Sequence, residues 1–158
     1  MKTLYLAGGC FWGMQRFLDS ANGVKETEVG YANGRTKNPT YEQVKHENTG
    51  HAETVKVTYD ENVLTEKALI HRFLQVINPF SVNKQGEDEG EQYRTGIYFE
   101  DDDDRLVAEQ EIALLEKESG KKCAVEVLPL NNFFRAEEYH QKYLVKNPSG
   151  YCHIITKF

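Results

Sequence analysis

Two glycines, Gly8 and Gly9, separate two incompatible periodicities, and the chain must turn sharply where they meet. Before them, Leu4-Tyr5-Leu6-Ala7 is a run of β-forming and apolar residues that suits a strand. After them, Phe11, Met14, Phe17 and Leu18 fall on one stripe of a helix. Cys10 therefore lies where a strand feeds a helix N-terminus. Unpaired amides and the helix dipole favour an anion there, so its thiol is expected to ionise more readily than usual. A plain packing role fits the position equally well, because a free cysteine usually behaves as a small buried apolar residue.

The rest of the chain alternates between the same two periods. Residues 24–32 carry the β-formers Val29 and Tyr31 and end at the turn signal Asn33-Gly34. Residues 35–39 read as loop, and Thr40 caps a short helical turn over 40–44. In residues 51–60, Val55, Val57 and Tyr59 alternate with Thr54, Lys56 and Thr58, the plainest strand in the chain. Thr65 caps a helix whose stripe is Leu69, Ile70, Phe73, Leu74 and Ile77, stopped by Asn78-Pro79. Residues 82–92 form a polar loop, the kind of segment that carries function.

Residues 93–99 return as a strand with Tyr93, Thr95, Ile97 and Phe99 in phase. Asp101 to Asp104 open an acidic first turn of a helix that ends at Gly120. Residues 123–130 read as a strand that puts Cys123 in the core, and residues 133–146 as a final amphipathic helix with Tyr139 and Tyr143 one turn apart. Asn147-Pro148-Ser149-Gly150 then breaks that helix and leaves Cys152 on a tail expected to be mobile. The expectation is an α+β chain, residues 1–158 forming one domain. It is a two-layer α/β sandwich (a ferredoxin-like plait) with a mixed sheet and a mobile C-terminal tail from about 147.

Composition removes several functions. The formal net charge of -6 over 158 residues opposes nucleic-acid binding, which needs a basic patch. No apolar run approaches the ~20 residues of a membrane span, and Met1-Lys2-Thr3 leads into a strand rather than a signal peptide. Three cysteines cannot all pair with one another, none is in a Cys-x-x-Cys pair, and His46 and His51 flank a loop rather than share a helix face. No metal site is expected.

Strand parity singles out Glu53, on the same side as Val55, Val57 and Tyr59. There, desolvation would hold its carboxyl protonated near neutral pH, making it a general acid; the alternative is that Glu53 lies at the strand end and points into water. Tyr93 shares a core parity while leaving a polar loop, so it is a hydrogen-bond donor or a packing residue. Cys152 is far from Cys10 in sequence, but loop closure grows slowly with length, and a thiol that becomes oxidised needs a second thiol to resolve it. A thiol hydrolase with a histidine base and a non-enzymatic peptide-binding module are the competing readings.

Six blocks in order carry a resemblance. They are Gly8-Gly9-Cys10-Phe11-Trp12-Gly13; Gly30-Tyr31-Ala32; Asn38-Pro39-Thr40-Tyr41; and Thr49-Gly50-His51-Ala52-Glu53. Gln85-Gly86 through Asp88, Gly90 and Gln92-Tyr93-Arg94 follow, and the last runs from His140-Gln141-Lys142-Tyr143 through Asn147-Pro148 to Gly150-Tyr151-Cys152. Together they resemble the A-class peptide methionine sulfoxide reductases. The resemblance implies that Cys10 attacks the sulfoxide sulfur while Phe11 and Trp12 hold the substrate methyl. Glu53 would protonate the sulfoxide oxygen, Tyr41 and Tyr93 would hydrogen-bond to it, and Asp88 and Tyr143 would flank the pocket.

It also implies a Cys10 sulfenic acid, its resolution by Cys152 as a disulfide, and recycling by thioredoxin with no bound cofactor. The substrate would be the S epimer of methionine sulfoxide, free or in proteins, handled by a cytoplasmic monomer that repairs oxidative damage. Gln15, where many relatives carry glutamate, and Thr95, where serine is common, are modest departures. No cysteine follows Cys152, so a three-thiol relay is not implied.

Overall fold

The structure is a computed structural model, and residues 1–154 are described. In chain order its elements are β1 (Lys2–Gly8), α1 (Phe11–Asp19), β2 (Val24–Ala32), α2 (Tyr41–His46), β3 (Ala52–Tyr59) and α3 (Glu66–Val76). A two-residue hairpin of β4 (Lys84–Gln85) and β5 (Asp88–Glu89), then a 3-10 turn over Glu91–Tyr93, lead to β6 (Thr95–Phe99). α4 (Asp102–Ser119), β7 (Glu126–Pro129), β8 (Phe133–Arg135), a second 3-10 turn over Glu138–His140 and α5 (Tyr143–Lys146) complete the order.

The six longer strands form one mixed sheet in the order β7-β6-β1-β3-β2-β8. Every pairing is antiparallel except β6 with β7, which is parallel. Helices and sheet share an apolar core that draws Leu4 and Leu6 from β1, Val55 and Val57 from β3, Met14 and Leu18 from α1, and Ile70 and Phe73 from α3. Burying each such side chain contributes about 1.5–3 kcal/mol. The opposite face of the sheet carries a smaller cluster of Tyr5, Ala7, Ala32, Ala52 and Tyr98, partly covered by Leu130 and Phe133. The architecture is thus α+β with a mixed sheet.

Local chemistry sets the helix ends where the sequence puts them. Thr40 and Gln43 close a reciprocal capping box on α2, and the Thr65 hydroxyl caps α3 by accepting from the Ala68 amide. Asp101 caps α4, and Gly120 ends it in the left-handed region.

Four expectations are corrected. Residues 133–146 are not one helix. Phe133, Phe134 and Arg135, two of them aromatic β-formers, pair with the open edge of β2, and the side chain of Gln141 bonds both the amide and the carbonyl of Val29. Tyr93 closes the 3-10 turn rather than opening β6, and the polar loop before it contains the β4–β5 hairpin. Cys123 precedes β7 in irregular chain and is partly exposed, its amide donating to Glu116 at 2.8 Å, so it is not a core residue. The tail is docked rather than loose as far as Ile154, which is 5% exposed; residues 155–158 of the expected tail lie outside the described residues.

Candidate active site

β1 stays paired with β3 through Leu6 opposite Val55 and then leaves at Gly8 and Gly9. Gly9 makes the turn with φ of +88°, a conformation that a side chain would strain. Glu53 lies two residues beyond that last pair, on the stretch of β3 that β1 has vacated. The turn therefore lowers the N-terminus of α1 onto the Glu53 carboxyl, and the Phe11 amide donates to Glu53 Oε1 at 3.1 Å. Cys10 is the N-cap residue of the same helix and is 8% exposed. One helix terminus thus serves both the thiol and the carboxyl.

Burial dominates the electrostatics. Desolvation of the fully buried Glu53 carboxyl, reinforced by Asp88, pushes its pKa from 4.5 up to about 8, although the Phe11 amide and Lys45 pull the other way. The general-acid expectation for Glu53 therefore has its physical basis. The expectation for Cys10 is overturned. Desolvation first, then the neighbouring Glu53 charge, raise its thiol well above 9, and the Trp12 and Gly13 amides offset only part of that. A helix N-terminus lowers a thiol pKa only where burial and a carboxylate do not outweigh it.

Around this pair the fold gathers the other expected residues. Tyr41 is the first residue of α2, with its amide donating to Glu137 Oε2 at 2.9 Å; Tyr31, from β2, donates its hydroxyl to Glu137 Oε1 at 2.7 Å. The Tyr41 phenol is pushed up to about 12 by burial, then by Glu53 and Cys10, while hydrogen bonding with Tyr93 lowers it. Burial and Glu53 likewise raise Tyr93, so both tyrosines stay protonated donors beside the carboxyl. Asp88, on β5, is raised by burial, and its Oδ2 is buried without a hydrogen-bond partner among the described residues.

Phe11 is 1% exposed and packs on the Tyr31 ring at 5.7 Å between centroids. Trp12 stacks on Tyr143 at 3.7 Å, and its indole Nε1–H donates to His140 Nδ1 at 3.0 Å. These rings make an apolar wall next to the Cys10–Glu53 pair.

Cys152, expected on a free tail, packs against the first turn of α1. A Cβ added at Gly13 would lie 3.0 Å from Cys152 Sγ and 3.1 Å from His153 Nδ1. Gly13 lies in the first turn of α1, directly after the Cys10 N-cap, so Cys152 docks on the end of the helix that carries the Cys10 thiol. All three cysteines are free thiols.

Residue-by-residue reading missed the frame that holds this site. His140 is 1% exposed and packs against Phe11, Trp12, Tyr41 and Tyr139. Gln15 accepts from the Lys142 amide and donates to Thr27, fixing α1 to the segment before α5. Gln85 bonds both the amide and the carbonyl of Asn78, pinning the hairpin that carries Asp88. His140 and Gln85 stand in the sequence motifs without a role, and Gln15 only as a departure from the family pattern. Among the described residues no group of three or more His, Cys, Asp or Glu side chains is arranged to hold a metal ion. No helix there is long and apolar enough to cross a membrane.

Comparison with known proteins defines the class. The family described as Peptide methionine sulfoxide reductase matches residues 2–158, and the chain belongs to it. A protein of Clostridium perfringens named Peptide methionine sulfoxide reductase MsrA is 56% identical over 154 residues, covering 98% of each chain. The structure of Mxr1 from Saccharomyces cerevisiae in reduced form superposes with a TM-score of 0.92 at 35% identity, covering 99% of this chain and 92% of that one. Mxr1 in complex with Trx2 shares the fold at a TM-score of 0.63 and 24% identity, covering 90% and 84%.

Proposed function

We propose that this chain reduces the S epimer of methionine sulfoxide, free or in proteins, to methionine, with Cys10 as nucleophile and Cys152 as resolving thiol. The observation that carries the reading is the buried Cys10–Glu53 pair under one helix terminus, walled by Phe11 and Trp12. Membership of the reductase family supports the substrate, and thioredoxin is the external reductant.

The raised pKa values define the resting state. Near pH 7 both Cys10 and Glu53 hold their protons, because two negative charges cannot share so dry a pocket. Phe11 and the stacked Trp12–Tyr143 pair receive the substrate methyl, which orients the sulfoxide oxygen toward Glu53, Tyr41 and Tyr93, with Asp88 at the rim. Glu53 donates its proton to that oxygen as Cys10 sulfur attacks the sulfoxide sulfur, and the Cys10 proton replaces the one Glu53 gave. Methionine leaves, the oxygen stays on Cys10 as a sulfenic acid, and Glu53 is ready for another cycle. Neutral phenols suit Tyr41 and Tyr93 as donors to the developing oxyanion.

Cys152 then attacks the sulfenic sulfur, water departs and a Cys10–Cys152 disulfide remains for thioredoxin to reduce. We also infer that residues 1–158 act as one monomeric domain whose central strands form a ferredoxin-like plait. The all-antiparallel order β6-β1-β3-β2, with α1 and α3 as the crossovers, supports it. A disulfide that must be reopened at each turnover suits the reducing cytoplasm.

The test is to mix fully reduced protein with excess peptide methionine sulfoxide, without reductant, and to measure methionine and free thiols. The expected result is loss of two thiols, with Cys123 the one remaining. No methionine and no thiol loss would reject the reading in favour of a thiol hydrolase.

A further inference from the structure

His153, next to the resolving cysteine, has no part in the scheme above. Its Nε2 lies 2.7 Å from the carbonyl oxygen of Gly8, at the end of β1. A carbonyl only accepts, so Nε2 carries the ring proton, and Nδ1 of the neutral ring presents a lone pair. That Nδ1 is buried and has no hydrogen-bond partner among the described residues. It abuts the same spot on α1 as Cys152 Sγ, 3.1 Å and 3.0 Å respectively from where a Gly13 Cβ would be. An orphaned basic nitrogen is costly to bury and acquires a purpose if a thiol proton can reach it.

We propose that His153 is the general base of disulfide formation, taking the Cys152 proton on Nδ1 as Cys152 attacks the Cys10 sulfenic acid. The proposal rests on the reductase reading above. The Cys152–Cys10 S–S bond forms as the Cys10 S–O bond breaks. The departing hydroxide takes the proton from Nδ1 and leaves as water, and the imidazole returns to its neutral form. No outside oxidant or reductant is needed, because the sulfenic acid is the oxidant. The Gly8 carbonyl fixes the tautomer throughout.

Among the described residues the titratable groups around the ring are Asp88 from β5, and Tyr151 and Cys152 from its own segment. Burial lowers the imidazole pKa despite the Gly8 carbonyl and Asp88, which keeps the ring in its basic form near pH 7.

The test uses the full chain as His153→Gln, whose amide can still donate to Gly8 but is no base, and as His153→Ala. Reduced protein is mixed with peptide methionine sulfoxide and quenched over time. Methionine, trapped sulfenic acid and disulfide are measured in the same samples. For His153→Gln the ratio of disulfide rate to methionine rate is expected to fall about 100-fold, the scale of general-base catalysis, with sulfenic acid accumulating. Its disulfide rate is expected to keep climbing as pH rises above neutrality, whereas the native rate, carried by an imidazole that burial keeps basic, levels off at lower pH.

A native ratio in His153→Gln, with or without a slow His153→Ala, would make the residue a strap for the tail and overturn the proposal. So would a slower rate with the native pH profile. Absence of methionine from the native protein would instead sink the reductase reading.

Discussion

Replacing Glu53 with glutamine is expected to stabilise the protein while disabling it, because the buried carboxyl opposes folding and supports the chemistry. Its pKa rises from 4.5 to about 8 on folding. A carboxyl with a raised folded pKa imposes no cost below pH 4.5, where both states are protonated. The cost grows as pH rises above 4.5 and is complete above about 8. Linkage gives a penalty of about 1 kcal/mol at pH 5 and about 3 kcal/mol at pH 7. Glutamine keeps a carbonyl oxygen for the Phe11 amide and removes the ionisation. Denaturant unfolding of both proteins should therefore show Glu53→Gln ahead by about 3 kcal/mol at pH 7, with the gap shrinking toward pH 5. In the same variant, single-turnover methionine formation should fall by about 10²- to 10⁴-fold, the scale of a lost general acid. A gap that is absent at pH 7, or flat between pH 5 and 7, would mean that the carboxyl is not desolvated as the structure has it.

Three further outcomes follow from the geometry. Cys152→Ser should release one methionine per chain and then stall with thioredoxin present, and normal steady-state turnover would reject its resolving role. Gly13→Ala gains about 0.5–1 kcal/mol of helix propensity, but its Cβ would press on Cys152 and His153. Methionine release should persist while disulfide closure slows about tenfold, and native closure kinetics in a thiol time course would refute the docked tail. Trp12→Phe leaves His140 Nδ1 buried without its donor, so unfolding should cost about 1–3 kcal/mol less and KM should rise; an unchanged stability and KM would remove that hydrogen bond from the account.

What could be read from the chain and what could not divide along a physical line. Glu53 was legible because a period-two alternation is a local fact: once Val55, Val57 and Tyr59 face inward, so does Glu53, and burial is the main cause of its raised pKa. Thr40, Thr65 and Gly120 were legible for the same reason, each satisfying backbone groups within a few residues of itself. Residues 133–146 were misread because their partner is distant. Phe133 to Arg135 become a strand only when the edge of β2, a hundred residues earlier, is there to pair with them, and Gln141 stands in for a strand by bonding Val29 through its side chain. Cys10 fails in a more instructive way. The helix-terminus argument was sound for the amides of Trp12 and Gly13, yet the same helix end also delivers the thiol into a dry site shared with Glu53, and those two effects outweigh the amides. Local sequence specifies which dipoles reach an atom, whereas the sign of its pKa shift depends on what the rest of the chain brings to the other side. A thiol kept protonated until a sulfoxide has taken the Glu53 proton is also shielded from idle oxidation, since the thiolate, not the thiol, is the reactive form.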